Sequence, residues 1–383
     1  MPHYKFDQIA YNITDKKMPE PGDEKMYIGL EHLDSGSLKV TRWGSEVELK
    51  GQKLVMKKGD VLFGRRNTYL RRAAIAPHDG IFSAHGMIFR PKTEVIDSEY
   101  FPFFISSNYF MDAAIRISVG SLSPTVNWKT LKELEFDIPS LDEQRKNARM
   151  LAAINETKEA YQELLLQTDN LVKSQFIEMF GLPECNTHEY EIVTIGDVVK
   201  DVHYGTAKKA SEDGRYIYIR MNNITYDGEL DLTDIKRIDV PEKDIAGCMV
   251  QEGDVLFNRT NSKDLVGKTC HFTGNEPMII AGYIIRLRMN GKVLPEYIST
   301  FMNLDRSKKM LYSMAKGAVG QANINAKEVQ SIPIVIPPEN VQQEFLKLRK
   351  QSDKSKFELK EAIKSCDALM KAILFTNLEE KED

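Results

Sequence analysis

The densest chemistry in this chain of 383 residues is the run Gly64-Arg65-Arg66-Asn67-Thr68-Tyr69-Leu70-Arg71-Arg72. Arg can fork onto the guanine edge and Asn onto the adenine edge, while Tyr and Thr can reach phosphate or a thymine methyl. The run follows the apolar stretch Val61-Leu62-Phe63, so it reads as a loop leaving a strand and entering a groove. A solvated basic loop would have the same composition. Arg65, Arg66, Asn67, Tyr69, Arg71 and Arg72 are therefore candidate DNA contacts. A second run, Asn258-Arg259-Thr260-Asn261-Ser262-Lys263-Asp264, keeps polar readers but has fewer cations, and it adds Arg259, Thr260, Asn261 and Lys263. Lys308, Lys309 and Lys316, with Gln321, Asn323 and Asn325, form another polar and basic zone, from which Lys316 and Gln321 join the candidates. Ser121, Ser123 and Thr125 occupy the matching place earlier in the chain and suit structural turns equally well.

Other chemistries find little support. Val266-Gly267-Lys268-Thr269 resembles the end of a phosphate-binding loop, but Ser262 stands where its first glycine belongs, and the residues that follow read as strand and turn rather than helix. Asp34 with Glu48-Leu49-Lys50 mimics a nuclease pattern that a charged chain produces by chance. The seven histidines lack ligand spacing, and no C-x-x-C pair exists to hold zinc. Neither a Gly-x-Gly-x-x-Gly loop nor an Asn/Asp-Pro-Pro-aromatic motif is present. No catalytic, cofactor-binding or metal-binding residue is expected.

The elements that must position these loops come in duplicate. Gly59-Asp60-Val61-Leu62-Phe63-Gly64-Arg65-Arg66-Asn67 returns as Gly253-Asp254-Val255-Leu256-Phe257-Asn258-Arg259-Thr260-Asn261. Tyr27-Ile28 answers Tyr218-Ile219, Asn127 answers Asn325, and Ile138-Pro139 answers Ile336-Pro337, always in the same order. This is one duplication of a module, not a solenoid. Each copy opens strand-rich, with short apolar runs bounded by turn residues. Each then continues into a long stretch without interior Gly or Pro, rich in Glu, Lys, Gln, Leu and Ala. Those stretches predict helices starting after Pro139 and Pro337/Pro338 and, for the first, stopping at Gly181. Heptad seams are expected along Met150, Ile154, Thr157, Tyr161, Leu164, Thr168 and Leu171, and along Phe345, Leu348, Ser352, Ser355, Leu359, Ala362, Cys366, Leu369 and Ile373. Such stripes cannot be buried by isolated helices. The economical arrangement packs the two antiparallel, as a rod with one module at each end.

The composition (28% charged, 42% hydrophobic, formal net charge −4) excludes wholesale disorder. It leaves DNA binding open, because local patches and not the total set the field over a face. Four scattered cysteines point to a reduced, cytoplasmic protein. The first residues do not read as a signal peptide, and no run of about 18 apolar residues predicts a membrane span.

The order of parts resembles the specificity subunit of type I restriction-modification systems: a strand-rich domain with Gly-Asp-Val-Leu-Phe, then Gly120-Ser121-Leu122-Ser123-Pro124-Thr125-Val126-Asn127, then Ile138-Pro139-Ser140-Leu141-Asp142-Glu143-Gln144, then a long helix, all repeated once. The second copy departs in a longer Gly317 to Asn325 segment and in Val341-Gln342-Gln343. The resemblance implies a mixed α/β fold with a pseudo-two-fold repeat. A target-recognition domain is expected at 1–138, a spacer helix at 139–180, a second recognition domain at 181–336, a second spacer helix at 337–378 and an acidic tail at 379–383. It further implies that the chain reads an asymmetric, interrupted site in double-stranded DNA and does no chemistry itself. It would dock modification (methyltransferase) subunits and restriction or motor subunits, which would carry S-adenosylmethionine, ATP and Mg.

Overall fold

The computed structural model describes residues 2–318 and 320–376. The expected tail at 379–383 and the last two residues of the second spacer helix lie outside the described residues. The chain divides into two compact units, Met1–Glu163 with the residues from Leu359 onward, and Leu164–Glu358.

In the first unit, strands Ala10–Ile13, Met87–Pro91, Val61–Phe63 and Ala73–Ile75 form an antiparallel sheet in that spatial order. A second sheet orders Lys16–Lys17, Lys53–Met56, Gly80–Phe82 and Tyr27–Ile28, its last pair parallel. Val61-Leu62-Phe63 is apolar throughout because both faces are covered. Val61 and Phe63 join a core with Phe6, Phe89, Phe110 and Phe136, while Leu62 faces Ile28, Leu54 and Phe82. Helices Phe101–Ser106 and Asn108–Arg116 close the aromatic side.

The second unit repeats this plan. Val199–Tyr204, Ile284–Met289, Asp254–Asn258 and Thr269–His271 are ordered as their first-unit counterparts. A sheet of Lys236–Ile238, Tyr216–Ile219 and Met278–Ile280 again ends in a parallel pair. Val255 and Phe257 face one core and Leu256 the other. The glycine that opens each repeated motif is required by its backbone: Gly59 and Gly253 have φ of +90° and +83°, where a Cβ would be strained.

The duplication extends to the buried polar pairs. Asp60 accepts from Arg90 Nε and Nη2 at 2.8 and 2.9 Å, and Asp254 from Arg288 Nε and Nη2 at 2.7 and 2.8 Å. Gln144 accepts from the Asp97 amide at 2.6 Å and donates to the Val95 and Pro139 carbonyls. Gln342 does the same with the Leu294 amide at 2.8 Å and the Lys292 and Pro337 carbonyls. Each glutamine pins the first turn of a long helix to its own sheet-bearing module, satisfying amides and carbonyls that would otherwise be orphaned.

The long helices run Leu141–Phe180 and Glu339–Thr376. Gly181, at φ +69°, ends the first. They pack antiparallel, as expected. In the first unit Ala148 and Leu151 share a core with Leu374, and Lys158 pairs with Asp367 at 2.8 Å. In the second, Phe176 and Phe180 lie against Phe345, with ring centroids 5.4 and 5.2 Å apart, and Lys356 pairs with Asp169 at 2.7 Å and Glu229 at 3.0 Å.

The expected seams need correction. On the first helix Met150, Thr157, Leu164 and Leu171 are exposed. The buried face lies one residue further on, through Gln144, Ala148, Leu151, Lys158, Val172 and Phe176. On the second, Phe345, Ser352 and Cys366 point inward as expected, but Ser355 and Leu369 are exposed, and the residues one step on, Lys356 and the partly buried Met370, take their places. Apolar periodicity misplaces the face because each seam contains a lysine whose stem is buried and whose ammonium meets a carboxylate on the other helix.

Candidate nucleic-acid interface

The 64–72 loop is held tightly. Asn67 and Arg71 both adopt left-handed backbone, with φ of 53° and 49°, and bracket a short turn Thr68–Leu70. Its near neighbour is the 118–125 segment: Arg66 bridges Thr125, the Asn67 amide donates to the Pro124 carbonyl at 2.7 Å, and Val119 and Thr125 exchange amide bonds at 3.1 and 2.9 Å. Two loops far apart in sequence therefore form one surface, whose tip carries Leu122 at 94% exposure. An apolar side chain so exposed forfeits about 1.5–3 kcal/mol of burial.

The four arginines are not equivalent. Arg66 is exposed and reaches Ser123 Oγ at 3.4 Å. Arg65 is half-buried beneath it, its carbonyl accepting from Thr68 and the Val126 amide. Arg71 donates to Asn108 at 3.2 Å and is ion-paired with Asp112. Arg72 donates to the Leu30 carbonyl at 2.8 Å. Tyr69 is 56% exposed beside them. A cavity of about 850 Å³ opens under this loop, lined among others by Tyr69, Arg71, Asn108, Lys158 and Asp367.

In the second unit the structure joins residues that the sequence separates by some 60 positions. Thr260–Asn261 pairs with Gln321–Asn323, which pairs with Lys316–Ala318. Thr260 is buried and accepts from Asn323 Nδ2 at 2.8 Å. Arg259 donates to Asn323 Oδ1 at 3.2 Å and stacks 4.8 Å over the Tyr204 ring. Asn261 donates to Asn258 at 2.9 Å. Gln321 is exposed, and Lys316, 82% exposed, is paired with Glu328 at 2.7 Å, which holds its pKa up through that hydrogen bond. Asn325 caps the helix Ala326–Gln330, accepting from Glu328 N at 3.0 Å, so it serves the turn. Lys263 lies apart from this sheet, over Tyr312. Sequence reading named Lys308 and Lys309 but missed Tyr226 and Tyr312, because lone tyrosines carry no local signal.

The alternative motifs are used structurally. Lys268 is buried and donates to the Met221 carbonyl at 2.6 Å, and Thr269 sits in a strand. Asp34 is paired with Arg42 at 2.7 Å. Among the described residues no group of three or more His, Cys, Asp or Glu could hold a metal, and no helix is long and apolar enough to cross a membrane.

Two copies of one α/β frame, each presenting polar and basic loops beside half of an antiparallel helix pair, define a duplicated two-module scaffold. The model for the type I restriction modification DNA specificity domain matches residues 12–166 and 187–365, and the chain belongs to that family. It is 24% identical over 293 residues to the EcoKI specificity subunit of Escherichia coli (strain K12), covering 71% of this chain and 61% of that one. To the MjaX specificity subunit, a putative assignment, of Methanocaldococcus jannaschii it is 27% identical over 180 residues, covering 46% and 41%. The chain thus spans about 60% and 40% of these relatives' lengths. In fold it is similar to the type I S subunit from M. genitalium (TM-score 0.53, 13% identity, covering 100% of this chain and 96% of that one). It is also similar to a chain from work on assembly and conformational transition of the type I R-M system (TM-score 0.54, 16% identity, 99% and 97% covered).

Proposed function

We propose that this chain reads an asymmetric, bipartite sequence in double-stranded DNA for a type I restriction-modification complex in the cytoplasm. Each strand-rich module would contact one half-site, and the helix pair would fix the gap and dock the methyltransferase and motor subunits. S-adenosylmethionine, ATP and Mg would reside on those partners, and this chain would catalyse nothing. The supporting observation is the contrast between a repeated frame and unrepeated loops. Asp60–Arg90 and Asp254–Arg288 match, whereas the 64–72 and 258–264 loops differ in charge and in partners. Two copies that keep their supports and change their readers suit two different half-sites.

Seven residues span about two helical turns. Deleting seven at the same level from each long helix should shorten the gap in the methylated motif while leaving both half-sites unchanged. Sequencing methylated bases in a host carrying the chain and its partners reads this directly, and an unchanged gap would refute the spacer role. Purified alone with S-adenosylmethionine, Mg and ATP, the chain should neither methylate nor cut DNA.

A further inference from the structure

A cavity of about 560 Å³ in the second unit lies between the end of the 258–264 loop and the helix Asp305–Met314. Lys263, Lys308 and Lys309 line it with Tyr226 and Tyr312. Lys263 Nζ stands 4.4 Å from the Tyr312 ring centroid, and Lys308 Nζ 4.9 Å from that of Tyr226. Such contacts hold a flexible ammonium in place, so less side-chain entropy remains to be lost on binding.

Among the described residues none of these three lysines has a carboxylate within ion-pair distance. Asp305, on the cavity wall, is turned to Lys173 at 2.8 Å. Asp264 also lines the cavity, and Lys308 reaches the Gly267 carbonyl only at 3.4 Å. Burial pushes the Lys308 pKa down to about 8. Asp227 opposes that shift, and the neighbouring charges of Lys173 and Lys268 add to it. A desolvated cation that Asp227 favours only at long range, and that no carboxylate pairs with directly, weakens the fold. An incoming anion would supply what is missing.

We propose that this cavity binds a phosphate of the DNA backbone flanking the second half-site, with Lys308 at its centre and Lys263 and Lys309 at its rim. This rests on the DNA-reading function above. Phosphodiester oxygens accept from all three ammoniums, and the tyrosine rings hold two of those donors in position.

Lys308→Met keeps the apolar stem and removes the charge. Its Tm at pH 7 should rise by about 2–4 °C, because an unfavourable, partly buried charge is gone. The sign follows from linkage: the folded value lies below that of free lysine, so the unfolded chain holds more protons between pH of about 8 and about 10.4. Wild-type stability therefore gains from this group as pH rises through that window. Against duplex carrying the methylated motif, the variant should lose affinity about tenfold, with the slope of log affinity against log salt flattened by about 0.9. At pH 8 the wild-type chain should take up about half a proton on binding, and K308M none, as read by calorimetry in two buffers of different ionisation heat. Lys263→Met and Lys309→Met, at the rim, should each lose about two- to fivefold.

Unchanged affinity, slope and proton uptake in K308M would overturn the proposal. So would a response of Lys308 to inorganic phosphate without one to duplex DNA. A wild-type chain with no salt-dependent DNA affinity would overturn the DNA-reading function as well, and is distinguishable because the parent itself fails.

Discussion

The two units build a cavity beside corresponding loops, 64–72 and 258–264, and answer its cations differently. In the first, Arg71 meets Asp112 and Lys158 meets Asp367, so two of the three cations that line the cavity are partnered within the protein, and the third, Lys371, is exposed. In the second, Lys263, Lys308 and Lys309 are set beside aromatic rings or left open, and the cavity's Asp305 is committed to Lys173. After duplication, a paired cation supports the frame and an unpaired one is available to a ligand. Counting arginines ranks the first loop as the stronger binder. Counting carboxylate partners removes Arg71 from that lead, and exposure singles out Arg66 among the rest.

The frame can be broken first. Asp254→Ala should cost about 3–5 kcal/mol, because it removes the bidentate partner of Arg288 and a charge 3.9 Å from Arg286, which is 1% exposed. Asp60→Ala should cost less, about 2–3 kcal/mol, because Arg90 is 39% exposed and can turn to water. Urea unfolding of the two variants measures the difference, and equal losses would deny that Arg286 sets the second copy apart.

The helix seam offers a smaller effect. Lys356→Met should cost about 1–3 kcal/mol, since Asp169 and Glu229 would both lose their ammonium while remaining partly solvated. Burial lowers the Lys356 pKa, but Asp169 and Glu229 outweigh it and the net shift is upward. Its stabilisation is therefore complete below the free-lysine value of about 10.4 and is lost as pH rises through the higher folded value. Lys158→Met, which takes the ammonium from one carboxylate rather than two, should cost less. Thermal unfolding at pH 8 and pH 11 tests both statements, and a K356M penalty as large at pH 11 as at pH 8 would contradict the ion-pair account.

The smallest effects sharpen the reader comparison. Arg66→Ala should weaken DNA binding about five- to tenfold and flatten the salt slope by about 0.9. Arg71→Ala should change affinity by about twofold or less, since its charge is already answered by Asp112. Parallel titrations at several salt concentrations decide this, and equal losses would mean that Asp112 releases Arg71 to the DNA.

Much of this was legible in the residues. The repeated Gly-Asp-Val-Leu-Phe fixes a glycine turn, a carboxylate and a doubly buried strand, each set by local backbone and solvent preferences. Proline and glycine mark the ends of the first long helix for the same reason. Within the site, cation content was visible and cation pairing was not. Arg66 and Arg71 lie in one short run, yet only the fold brings Asp112 to one and Ser123 to the other.

The sequence by itself determined a duplication, its short strands and long helices, and which loops are basic, because those properties depend on residues near one another in the chain. Tertiary structure alone decided which helix face is the seam, which lysines are neutralised and which tyrosines stand over an ammonium. Those outcomes depend on partners such as Lys158 and Asp367, more than 200 positions apart, and a side chain's free energy is settled by its neighbours in space.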